Sequence, residues 1–264
     1  MATNETLKNK LVETSKERGV GSAGNTMKGL LNTPTIKNRF EEVLKQRAPQ
    51  YMSSIVNLVN GDTNLKKCDQ MSVIASCMVA ATLDLPVDKN LGYAWVVPYG
   101  NKAQFQLGYK GYVQLALRTG QYKSINVIEI HEGELKKWNP LTEELEIDFM
   151  QKKSDMVIGY AGYFELINGF KKSIYWTKEQ INTHKNKFSK SDFGWKKDFD
   201  AMAKKTVLRN MLSKWGILSI EMQTAYSTDM ATIKEDVVKS GDIKENVEYI
   251  DVDFTGTSSQ GGDK

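Results

Sequence analysis

Two cysteines, two histidines and five prolines among 264 residues rule out several kinds of chemistry at the outset. Cys68 and Cys77 cannot build a disulfide framework, and no two of Cys68, Cys77, His131 and His184 stand at zinc-ligand spacing, so a structural zinc site is not expected. A cysteine nucleophile is disfavoured too, because a free cysteine on an apolar run behaves as a small hydrophobe. No serine sits in a G-x-S-x-G elbow, which removes support for acyl transfer. Long apolar runs are also missing. The longest uncharged stretch in the apolar region, Gln70 to Leu83, is fourteen residues, against the roughly 20 a membrane helix needs. Residues 1–10 carry Glu5, Lys8 and Lys10 with no apolar run behind them, so no secretory signal is read and a cytoplasmic location is expected. What remains, with 40% hydrophobic and 26% charged residues, is an ordinary soluble chain long enough for a substantial core.

Charge is placed unevenly. From Asp229 to Lys264 nine acids face four lysines, so this end carries −5 and the first 228 residues carry +9 of the overall +4. A basic body points to a polyanion partner, and an acidic tail ending in Gly and Ser to recruitment or self-shielding.

The hydrophobic pattern divides the chain into an N-terminal helix and flexible joint (1–32), a core (33–239) and an acidic tail (240–264) with too little apolar content to fold alone. Helices are expected from Thr33-Pro34 (with Ile36, Phe40, Val43 and Leu44 at helical spacing), after Pro49, and from Asp69 to Leu83, the last apolar nearly all round. Tyr93–Leu107 reads as a β-hairpin, Tyr109–Thr119 as a helix, and Ser124–His131 as a strand. Leu145–Phe149 is expected to pair with Val157–Ile167, and Asn168-Gly169 to turn into Phe170–Trp176. A Thr177-x-x-Gln180 capping box opens a helix to about Lys187, followed by long helices over Lys196–Trp215 and Ser219–Lys239. Helices, then strands, then helices make an α+β order: a small antiparallel sheet backed by helices.

Three motifs suggest chemistry. Gly19-Val20-Gly21-Ser22-Ala23-Gly24 matches a dinucleotide pattern but follows a charged helical stretch instead of a strand, and Asn25 occupies the lysine position of a phosphate loop. Glu132, Glu134 and Lys136 have the spacing of a metal-dependent nuclease, which stays as one alternative function, although the run continues as a loop. The basic helical faces are stronger. Lys205 and Arg209 stand one turn apart, and like charges there are easier to understand with something negative across them. Lys110, Gln114 and Arg118 repeat the arrangement, with Gly111 expected to leave the backbone open to close approach. Lys102, Lys123 and Lys214 are weaker candidates, and Tyr109 and Tyr112 are nearby aromatics.

Gln106-Leu107-Gly108-Tyr109-Lys110-Gly111-Tyr112, continued by Leu115–Gly120, resembles the signature of the RecT family of phage single-strand annealing proteins, and Trp195–Arg209 resembles that family's second block. The resemblance spans about Leu85 to Met222. It implies a core related to Redβ- and Rad52-type annealing proteins, annealing of complementary DNA strands without ATP, and assembly into rings or helical filaments. No cofactor is implied, and Mg²⁺ is expected at most to modulate DNA binding. Expected partners are single-stranded DNA and the annealed duplex, further copies of the chain, a phage 5′→3′ exonuclease and a host single-strand-binding protein, with no membrane. Chemistry is not expected, so the chain is read as no enzyme; a passive single-strand-binding module is the second alternative. On this reading Lys102, Lys110, Gln114, Arg118, Lys123, Lys205, Arg209 and Lys214, with Tyr109 and Tyr112, meet DNA, while Ile36, Phe40 and Leu44 contact neighbouring subunits. Replacing Lys205 and Arg209 by alanine is expected to abolish DNA binding and leave folding intact.

Overall fold

A computed structural model describes residues 26–189, 192–229, 232–233 and 247–248. The chain enters through five helices: α1 (Met27–Leu31), α2 (Pro34–Leu44), α3 (Ala48–Asn60), α4 (Thr63–Lys67) and α5 (Gln70–Thr82). Local chemistry sets their starts. Thr26, Asp62 and Asp69 accept from first-turn amides, and Pro34 occupies the first turn of α2, where its missing N–H costs nothing. Every residue from Ser72 to Ala81 is buried, so α5 is the central helix, as a pattern apolar on all sides requires. Ile36, Phe40 and Leu44 line the stripe by which α2 packs on α3 and α5, and Phe40 meets the Tyr51 ring at 6.0 Å. Their burial inside the subunit corrects the expectation that they form subunit contacts.

Strands β1 (Ala94–Tyr99) and β2 (Lys102–Leu107) form the expected hairpin, with Ala94 opposite Leu107 and Gly100 in the left-handed region at the turn. Ala103, Phe105 and Leu107 face the core, and β2 lies on α5. The outer edge of β2 takes β8 (Thr232–Ile233), which pairs with β9 (Val247–Glu248). Those two β9 residues are the described part of the expected tail from 240 onward; the 1–25 segment with its glycine motif lies outside the described residues.

A second antiparallel sheet runs β3 (Tyr122–His131), β6 (Val157–Leu166), β7 (Lys171–Thr177), with Gly169 at positive φ in the Asn168-Gly169 turn. Because β3 and β7 occupy both edges of β6, the strand near Leu145 cannot pair there. It forms instead a separate hairpin of β4 (Leu135–Asn139) and β5 (Glu144–Ile147), and this corrects the expected pairing.

Helices α6 (Tyr109–Arg118), α7 (Lys178–Phe188), α8 (Phe193–Lys197), α9 (Phe199–Trp215) and α10 (Ile220–Thr228) complete the α+β fold. The capping box of α7 is formed on both sides. The helix expected to start at Lys196 starts at Phe199, because Asp198 takes an extended conformation and its carboxylate accepts the Ala201 amide at 2.9 Å. Ala203, Val207, Leu208, Met211 and Leu212 face the β3–β6 sheet, and Ala201, expected among them, is exposed. Gly162 of β6 permits this approach, since a Cβ there would stand 3.2 Å from Val207 and 3.3 Å from Met211. The last helix, expected to reach Lys239, stops at Thr228 and turns at Asp229. Among the described residues no helix is long and apolar enough to cross a membrane.

Candidate nucleic-acid interface

The two basic side chains singled out on α9 converge on one acid. Lys205 Nζ lies 3.5 Å and Arg209 Nε 3.6 Å from the two oxygens of Asp229, a residue only 4% exposed. The same carboxylate accepts the Leu107 amide of β2 at 2.9 Å and the Tyr112 hydroxyl of α6 at 2.8 Å. Four groups from β2, α6 and α9 therefore close on the residue where α10 ends. Burial, reinforced by the Asp229 charge, holds the Tyr112 phenol well above its ordinary pKa, so it remains a donor. The Lys205 side chain is 12% exposed and the Arg209 side chain 39%, so Arg209 is the member that faces outward. Tyr112 is wholly buried and stacks on Tyr226 at 5.9 Å, which makes it a core residue in this conformation.

The remaining candidates scatter. Arg118 donates to the Leu83 and Asp84 carbonyls, both at 2.7 Å, and so closes the C-terminal end of α5. Lys123 pairs with Glu165 on the neighbouring strand at 2.9 Å. Lys110 is exposed, Lys102 is exposed at the hairpin turn, and Lys214 is exposed with its ammonium 5.4 Å from the Trp215 ring. Tyr109 and Gln114 are half-buried, Tyr109 packing against the core. Gly111 does not open the backbone to a ligand. A Cβ there would stand 2.3 Å from the Tyr93 carbonyl, so the close approach is made by the chain itself, α6 against the start of β1.

A second basic surface was not singled out in the sequence. Between residues 178 and 197 six lysines stand against two acids. Lys187, Lys196 and Lys197 are exposed, and Lys185 pairs with Asp192 at 3.2 Å. Aromatic rings interleave with them. Trp176, His184 and Phe188 follow one another at 5.4 and 4.6 Å, Trp195 meets Phe199 at 5.3 Å, and the Lys178 ammonium stands 5.7 Å from the Phe199 ring. Phe188 is 55% exposed, with Lys187 over its ring at 5.2 Å. His184, in the same run of rings, has its pKa lowered first by burial and then by the Arg209 charge, so its imidazole is neutral at pH 7. Exposed cations beside the exposed Phe188 ring suit single strands, whose phosphates meet charge and whose bases stack, while Trp195 is buried and Trp176 and Phe199 pack against the core. The missed signal was the density of lysine and aromatics in what reads locally as a polar loop between helices.

The nuclease spacing resolves into a turn. Glu134 is buried, accepts the His131 amide at 2.7 Å and lies 3.2 Å from His131 Nδ1; the backbone hydrogen bond foremost, against burial, lowers its pKa. Glu132 accepts the Ser154 hydroxyl at 2.8 Å, and Lys136 pairs with Asp148 at 3.2 Å. Glu132 and Asp148 hold the β3–β4 turn to the 148–154 loop, Glu134 closes that turn on His131, and among the described residues no three acids, histidines or cysteines gather where a metal ion could sit.

The described residues thus form an α+β core in which one buried acid gathers cations from a single helix, beside a lysine- and aromatic-rich surface. A family model, the RecT family, matches residues 49–245, and the chain belongs to that family. It is 64% identical over 249 residues to the uncharacterised protein YqaK of Bacillus subtilis (strain 168), covering 94% of this chain and 88% of that one. It is 26% identical over 215 residues to Protein RecT of Escherichia coli (strain K12), covering 75% of this chain and 78% of that one.

Proposed function

We propose that this protein anneals complementary single strands of DNA without nucleotide hydrolysis, making and breaking no covalent bond. The observation that carries the reading is the set of exposed lysines on α7 and α8 interleaved with edge-on and tilted aromatic rings, with α8 packed on α9 and its outward-facing Arg209, in a chain of the RecT family. Phosphate contacts position a strand without reading its sequence, so a strand held this way keeps its Watson–Crick edges for the partner that supplies specificity. Neutralised phosphates also let a second strand approach. Arg209, Lys187, Lys196 and Lys197 are the principal phosphate contacts, and the exposed Lys110, Lys102 and Lys214 are secondary ones; Arg118 and Lys123 act mainly through their partners within the chain.

Self-association goes with this function. The surface offered for a second copy is the exposed apolar set around the β4–β5 hairpin: Leu141, Phe149, Met156 and Met150, the last 90% exposed. An exonuclease or a single-strand-binding protein remains the expected partner of the acidic C-terminal end.

The test is pairing of two complementary, fluorescently labelled oligonucleotides without ATP, with and without Mg²⁺, the second strand added after the protein. Faster pairing with both strands intact is the expected result. Pairing no faster than the spontaneous reaction defeats the proposal, and loss of labelled strand in the Mg²⁺ tubes turns it toward a nuclease. Replacing Lys187, Lys196 and Lys197 together by alanine is expected to lower the dependence of log affinity on log salt by about 2, roughly 0.7 for each phosphate no longer neutralised, with no change in melting temperature.

A further inference from the structure

Asp229 does more than close the core. Its carboxylate is completely covered, and its two strongest hydrogen bonds come from the Leu107 amide and the Tyr112 hydroxyl. Those two donors fix the carboxylate whatever the cations do. Lys205 and Arg209 stand farther off, at 3.5 and 3.6 Å, beyond the 2.7–2.9 Å of a full charge-assisted hydrogen bond. The cations are therefore held more by charge than by short hydrogen bonds. Arg209 meets Asp229 through Nε, the inner nitrogen of the guanidinium, and its side chain remains 39% exposed.

This geometry has a consequence for a phosphate arriving at Arg209. It meets two positive charges and, just behind them, a fixed negative one that it cannot displace, because backbone and phenol hold the acid in place. Attraction at the site is that of about one net charge instead of two. We propose that Asp229 is a resident counter-charge of the strand-binding surface, which keeps Lys205 and Arg209 in position and weakens their grip on DNA phosphates, so that annealed strands are released. The inference rests on the reading of Arg209 as a phosphate contact.

Replacement of Asp229 by asparagine (D229N) keeps an oxygen for the Leu107 amide and removes the charge. In anisotropy titrations with a labelled oligothymidylate over a salt series, the D229N protein is expected to bind about fivefold more tightly at low salt, with a log–log salt slope steeper by about 0.7, and to release annealed duplex more slowly. Tyr112→Phe, which removes a hydrogen bond to the same acid but no charge, is expected to lower the melting temperature and leave the slope alone; a purely structural Asp229 would make the two variants alike. A folded D229N protein that binds with equal or weaker affinity overturns the proposal. If D229N does not fold, Lys205→Met is compared with the Lys205→Met, Asp229→Asn pair: tighter binding by the pair supports the counter-charge, and equal or weaker binding overturns it. Arg209→Gln separates the two levels of argument. Unchanged binding there defeats the phosphate reading itself, whereas weakened binding with D229N unchanged defeats the counter-charge alone.

Discussion

Glu134 and Asp229 are both carboxylates only 4% exposed, and they are built from opposite materials. Glu134 is satisfied from three residues away, by the amide and ring of His131. Asp229 is satisfied from across the chain, by Leu107, Tyr112, Lys205 and Arg209. The first acid closes one strand end on its own turn, while the second ties β2, α6, α9 and the end of α10 to one point. A buried acid's importance follows from how far its partners have travelled to reach it: local partners make a turn, distant ones make a junction.

The sharpest way to break this comparison is to remove each acid. Asp229→Ala leaves a nearly buried ammonium, a buried amide and a buried phenol without their acceptor, and is expected to cost about 3–5 kcal/mol of stability. For the same reason Lys205→Ala with Arg209→Ala is expected to destabilise the fold as well as weaken DNA binding, contrary to the sequence-based expectation, because it strands Asp229. Glu134→Ala is expected to cost about 1–2 kcal/mol, the value of a charge-assisted bond to one amide, with annealing unchanged. Urea unfolding of the three proteins against the parent measures all of this. Equal costs for the two acids would show that the long-range junction carries no special weight.

Sequence showed the elements whose signals are local. The Asn168-Gly169 turn, the Thr177-x-x-Gln180 cap and the all-apolar α5 each follow from a few neighbouring residues, and each stands where the pattern puts it. Three features escaped because their causes are not local. The β4–β5 hairpin exists because β3 and β7 already fill the edges of β6. Asp229 was counted with the acidic C-terminal residues because charge summed along a window ignores the fold, which brings α10 back to β2. Lys205 and Arg209 were legible as a pair with something negative opposite, and the structure supplies a negative group from within the chain. The lysines of α7 and α8 were visible all along; what hid them was the lack of helical periodicity between Phe188 and Asp198, which only packing of Trp195 on Phe199 brings into one surface.

The two histidines sharpen the comparison further, with the smallest expected effect. His131 sits beside the local acid, whereas His184 is half-buried among the rings of α7 and β7, where burial first and the Arg209 charge second lower its pKa below the ordinary 6.5. In the unfolded chain His184 takes up its proton as pH falls through about 6.5, and in the folded chain it does so only at lower pH. The unfolded state then binds more protons, so stability is complete above about pH 6.5 and falls on acidification through that value. His184→Gln removes this linkage. Melting temperatures of parent and variant, followed from pH 7.5 to 5.5, are expected to converge as the pH drops, by less than either carboxylate substitution shifts them. Parallel curves would mean that neither burial nor the Arg209 charge holds His184 below the ordinary imidazole range in the folded protein.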